Sequence, residues 1–204
     1  MSLVERKVFF EFEIPQGSRL QKLVKKLANQ AESFVVNRIS NGIPPAISPL
    51  TAAVRGSGKP LQDTGALMAS IHSGADSQGG FVATSHEAAA VNHFGATIKP
   101  KRAKKLWIPA GAETRRLMRR YSPTPSGLIK ALKAAGYRLW TSKSGKAFMA
   151  QAPREKQPFV LFVLKNSVEI PARPFLYLDD LQHETIRVIW RNECLKSQKG
   201  SRKP

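Results

Sequence analysis

The sequence predicts an α+β fold: a small, mostly antiparallel sheet packed by a long N-terminal helix over 18–40 and a C-terminal helix over 179–195, with a basic helix and hairpin excursion at 96–157. Three observations predict it. Apolar residues over 19–39 recur with the i, i+3, i+4, i+7 rhythm of an amphipathic helix. Short alternating or apolar runs of strand length lie at 7–14, 71–84, 137–151 and 159–164. Clusters of proline and glycine separate these segments. Residues 1–195 read as one domain that contains the excursion, and 196–204 as a disordered basic tail.

The elements follow in order. Val8, Phe10 and Phe12 near-alternate with charged neighbours, which gives a strand with one wet face over 7–14. Gly17-Ser18 offers a cap to the long helix, whose apolar stripe is Leu20, Leu23, Val24, Leu27, Ala31, Phe34, Val35 and Ile39. The segment 41–60 holds four prolines and three glycines and reads as a long loop. Thr64, or Asp63 before it, caps a short helical turn over 66–70, and 71–84 forms a hairpin turning at 76–80. Ser85 caps a helix through His93 that Gly95 ends. Residues 96–105 are extended or mobile, and Leu106 to Ile108 form a short strand. Helices follow at 111–121 and 126–135, separated by Pro123 and Pro125 and closed by Gly136. Tyr137–Trp140 and Ala147–Gln151 flank a turn, Phe159–Leu164 is a buried strand, and the terminal helix turns Leu181, Ile186, Ile189 and Trp190 inward.

Composition narrows the function. The chain has 204 residues and 42% apolar content, enough for a real core. Its single cysteine, Cys194, rules out an internal disulfide framework and suits a reducing cytosol. The N-terminus mixes charges into its apolar residues, and the longest dense apolar run is PFVLFVL at 158–164, so a soluble chain without a membrane helix is expected. The net charge of +19 is unevenly placed: residues 1–98 carry nine Lys/Arg against seven Asp/Glu, whereas 99–204 carry twenty-four against seven. Such a field attracts polyanions.

No chemical motif survives a test of its spacing. His86-Glu87 begins like HExxH, but position 90 is Ala, and His72, His93 and His183 have no partner at metal-ligand spacing. Gly58-Lys59 and Gly145-Lys146 lack both the first glycine and the final Ser/Thr of a phosphate loop. Carboxylates are sparse, and no serine sits in a nucleophile elbow. An enzyme, a metal site and a cofactor are therefore not expected.

Two segments hold the remaining interest. Lys99, Lys101, Arg102, Lys104 and Lys105 form one basic cluster, and Arg115, Arg116, Arg119 and Arg120 fall at helical spacings. They read equally as a solvated surface beside an acidic neighbour subunit or as a phosphate-contacting surface. Trp107, Tyr121, Tyr137 and Trp140 lie among these charges and read as core residues rather than base-stacking ones. In IPARPFLYL, residues 170–178, Pro171 and Pro174 deny backbone donors and hold the chain extended, so it cannot be a central strand. Phe175 and Leu176 then anchor the following helix, and with Pro171, Arg173 and Pro174 the segment is either internal scaffolding or a subunit interface.

Three blocks, LQDTGALMASI at 61–71, VNHFG at 91–95 and IPARPFLYL followed by a long helix, stand in an order that resembles the virion morphogenesis or tail completion family of Mu-like contractile-tailed phages and prophages. The likeness spans about Leu61 to Leu195, and its third block is the most specific. It implies a non-enzymatic structural protein that closes the head-proximal end of the tail or forms the neck. By the same likeness it assembles as a hexameric ring on tail tube, terminator and head-tail connector proteins, with room for a non-specific contact to double-stranded DNA and none with a membrane. Its place would be the virion, after synthesis in the host cytoplasm. The alternative reading, a ribosome- or nucleoid-associated nucleic-acid-binding module, rests on charge alone.

Overall fold

A computed structural model describes residues 6–11, 18–56, 58–76 and 79–200. In chain order the elements are β1 (Arg6–Glu11), α1 (Ser18–Asn41), α2 (Pro49–Arg55), α3 (Ala66–Ala69), β2 (Ile71–Asp76), β3 (Gly79–Thr84), α4 (Ala89–Phe94) and β4 (Ala96–Ile98). There follow β5 (Leu106–Pro109), α5 (Ala112–Tyr121), α6 (Pro125–Ala134), β6 (Arg138–Thr141), β7 (Ala147–Gln151), β8 (Phe159–Lys165), β9 (Val168–Ile170) and α7 (Asp180–Gly200). The fold is α+β, with helices at both ends and small antiparallel sheets. The chain divides into two compact units: residues 1–45, 60–95 and 171–204 form the first, and 46–59 with 96–170 the second. The excursion expected at 96–157 thus runs on to 170 and takes in part of the 41–60 segment.

In the first unit the strands are ordered β1-β3-β2, all antiparallel. The helical stripe of α1 meets them as predicted: Leu27, Ala31, Val35 and Ile39, four residues apart, are buried with Leu67, Ile71 and Val82 in one cluster. Phe81 lies across the sheet over Gly74, where a Cβ would stand 2.5 Å from its ring. Phe175, Leu176, Leu178 and Ile186 close the same core.

The second unit is built on a four-stranded antiparallel sheet, β5-β8-β7-β6. The helices α5 and α6 cover one face of it with Leu117, Leu128 and Leu132, which are buried with Ala150, Leu161 and Phe162. Thr114 is also buried and donates its hydroxyl to the Leu161 carbonyl at 2.8 Å. Thr124 caps α6 by accepting from Gly127 N, and Pro125, expected as a separator, is its first residue. The short strands β4 and β9 pair apart from this sheet.

Several expectations are corrected. The 41–60 segment is not all loop, because Ser48 accepts from Thr51 N, Pro49 starts α2 and Gly56 ends it with φ 74°. These are ordinary start and stop signals, hidden by the density of breakers around them. Ser85 does not cap α4; His86 Nδ1 instead accepts from Ala88 N at 3.2 Å. Leu181 points to solvent at 78% exposure, because it lies five residues before buried Ile186, well round the helix from the face that carries Ile189 and Trp190. The terminal helix runs on through Gly200 rather than ending at Leu195, so 196–200 are helical where a disordered tail was expected. The end of the first predicted strand (12–14), Gly17, the hairpin tip Ser77-Gln78 and the tail's last four residues lie outside the described residues.

Candidate functional site

The three sequence blocks of the first unit meet in space. Leu61, Leu67 and Ile71 from the first block and Phe175, Leu176 and Leu178 from the third share one buried cluster. The second block joins through hydrogen bonds: Asn92 O accepts from Arg173 N at 2.8 Å, and His93 Nδ1 accepts from both Phe175 N and Leu176 N at 3.3 Å. That acceptor role places the imidazole proton on Nε2. The His93 ring also meets the Phe175 ring edge-on, centroids 5.3 Å apart.

Arg38, at the end of α1, clasps the same segment. Its guanidinium donates to the carbonyls of Phe175 and Tyr177, to Asp179 Oδ2 at 3.3 Å and to Gln182 Oε1 at 2.7 Å, while lying 3.8 Å from the Tyr177 ring centre. Asp179 and Gln182 form a reciprocal capping box that starts α7: Asp179 Oδ1 accepts from Gln182 N, and Gln182 Oε1 from Asp179 N. Arg173 is buried and donates Nε to Pro45 O at 2.8 Å. Of the expected interface or anchor residues, Phe175 and Arg173 are therefore internal ties, whereas Pro171 and Pro174 face solvent.

The charge lies in the other unit. Residues 46–59 and 96–170 carry nineteen Lys/Arg against three Asp/Glu, a net +16, leaving fourteen against eleven, +3, for the first. Lys99, Lys101, Arg102 and Lys104 are exposed, and half-buried Lys105 donates Nζ to Gly145 O at 2.7 Å. That bond ties the end of the 99–105 loop to the β6–β7 turn, between Lys143 and Lys146 in sequence. On α5, Thr114 and Leu117 face the core, Arg115 is half-buried, and Arg116, Arg119 and Arg120 are exposed. Arg116 donates to Glu113 at 2.8 Å; this hydrogen bond and the carboxylate's charge raise the guanidinium's pKa. Arg120 lies 5.3 Å from the Tyr121 ring centre.

The aromatics divide. Trp107 packs against Phe148 and Phe162 at 5.0 and 5.6 Å, and Tyr137 lies against the core, as expected. Trp140 and Tyr121 are each 37% exposed, contrary to the core reading. The reason for Trp140 is its place on edge strand β6, one residue out of phase with core-facing Leu139.

Sequence reasoning missed Arg38, whose partners lie more than 130 positions away and leave no local signal. His93 is legible as part of a helix and of the second block, but not its bonds to Phe175 N and Leu176 N, more than 80 positions away. Among the described residues no group of three or more His, Cys, Asp or Glu is placed to hold a metal ion, and no helix is long and apolar enough to cross a membrane. No protein-family model, curated protein or solved structure matches the chain.

Proposed function

We propose that the protein is a structural component of virion assembly in a tailed phage or prophage, a tail completion or neck ring subunit that works by burying interfaces rather than by catalysis. What supports this reading is the convergence just described: three blocks spread from Leu61 to Leu178 form one nucleus around Phe175, His93 and Arg38. Capped turns of the LQDTGALMASI kind arise easily by themselves. An ordered triplet that also folds together is a stronger sign that the three form one inherited unit. In this proposal the first unit supplies the rigid body of the ring, and the second meets tail tube, terminator or connector proteins.

Closed rings of identical subunits use one repeated heterologous contact, and a stable one buries on the order of 1,000 Å² or more. Negative-stain electron microscopy and sedimentation of the purified protein test this directly. Rings of uniform copy number are expected; a monomer at every concentration, together with normal particle yield after deletion of the gene, refutes the proposal. Reversing the charge of the exposed Arg116, Arg119 and Arg120 is expected to block head joining while the melting temperature stays within about 2 °C, since exposed ion pairs contribute little to stability, whereas adding half-buried Arg115 to the set should also cost some stability.

The concentration of +16 in one unit favours a second reading, a nucleic-acid-binding module of the ribosome- or nucleoid-associated type. Filter binding across salt separates them: tight binding by an isolated monomer with a steep salt slope belongs to the second.

A further inference from the structure

The β5-β8-β7-β6 sheet has two unlike faces. One is sealed by α5 and α6. On the other, the pairing Trp140↔Met149↔Val160 lines up one residue from each of three neighbouring strands, with Trp140 37% and Val160 39% exposed. Strand alternation puts Arg138 on the same face as Trp140. The four strands, LWIP, RLWT, AFMAQ and FVLFVLK, contain no carboxylate at all. At one end of the sheet, the Lys105–Gly145 bond holds the lysine-rich 99–105 loop against the turn carrying Lys143 and Lys146.

We infer that this face binds single-stranded nucleic acid, with an unpaired base stacked on Trp140 and the phosphodiester backbone running over Arg138 and the Lys143/Lys146 turn. The chemistry selects that occupant. Lysine and arginine bind phosphates by releasing counterions, whatever the sequence, and an exposed indole offers any unpaired base a stacking partner. A duplex keeps its bases stacked inside and leaves Trp140 unused. A second copy would set one +16 unit against another, which repels. The inference stands apart from ring assembly, since it needs only the second unit's own surface.

The test uses the full chain and a labelled oligothymidylate of roughly 20 nucleotides, followed by anisotropy at several salt concentrations, beside a duplex of equal length. Expected are tighter binding of the single strand, quenching of tryptophan emission on binding, and a loss of about tenfold in affinity for Trp140→Ala. Trp140→Phe keeps an aromatic face, so it should retain affinity within about threefold while the quenching falls away. Lys143→Glu with Lys146→Glu should weaken binding and flatten its salt dependence. Circular dichroism confirms that each variant folds. The inference is overturned if Trp140→Ala binds as tightly as the parent, if duplex binds as well as single strand, or if neither binds.

Discussion

Replacing Phe175 with alanine tests whether the third sequence block is the keystone of the first unit. The ring is 1% exposed and lies in the cluster that joins α1, the β1-β3-β2 sheet and α7. Alanine leaves the backbone bonds from residues 175 and 176 to His93 in place, so the loss reports on the ring alone. Truncating a fully buried phenylalanine removes its transfer free energy and opens a cavity, together about 3–5 kcal/mol. The edge-on partner His93, 5.3 Å away, places this site toward the upper part of that range. For a chain of this size about 1 kcal/mol shifts Tm by about 2–4 °C, so a fall of about 6–20 °C is expected by calorimetry. Phe175→Leu keeps most of the volume and should cost about 1.5 kcal/mol or less. A Phe175→Ala loss below about 1 kcal/mol would show that Phe175 is not the keystone of this core, because no ring sealed in a close-packed core is that cheap to remove.

Thr114→Val should destabilise the second unit by about 1 kcal/mol in urea unfolding, near the lower end for a lost buried hydrogen bond, since Leu161 O still accepts from Ala110 N at 3.2 Å. Equal stability would place the hydroxyl in water. Gly127→Ala should cost about 1 kcal/mol by thermal melt, because its Cβ would stand 2.9 Å from Ser122 Cβ, which cannot rotate away as Ser122 Oγ at 2.2 Å can, and this strain exceeds the helix propensity that alanine gains in α6; a stabilised variant contradicts this packing. Leu181→Ser should change stability by less than about 0.5 kcal/mol, given 78% exposure, and a larger loss would return Leu181 to the inward position first expected of it.

Much of the fold was legible because it is written locally. The period of α1 names its own buried face, and the SKSGK turn with its flanking runs gives β6 and β7 almost to the residue. Short elements in breaker-rich chain were legible in principle and overlooked, as α2 shows: Ser48, Pro49 and Gly56 are its cap, first residue and stop. What no local pattern carries is the partner of a long polar side chain. Arg38 has the spacing of an exposed residue on a helix, yet its side chain is only 13% exposed because carbonyls from a segment 137 or more positions away need a donor. Likewise, Trp140 differs from Trp107 only in which side of its strand it occupies, and that depends on the register with β7.

The basic residues therefore fall into two chemical kinds, and this bears on how charge variants should be read. Arg38 and Arg173 spend their donors inside the first unit, on carbonyls that would otherwise lose water without replacement, so removing either leaves unpaired acceptors as well as a missing charge. The cations of the second unit stand mostly in solvent, where Lys99, Lys101, Arg102, Lys104, Arg119 and Arg120 are exposed and repel one another at low salt. Reversing these costs the fold little and relieves part of that repulsion. A binding or assembly defect in such a variant reports on a partner, whereas the same defect in an Arg38 or Arg173 variant reports first on the fold.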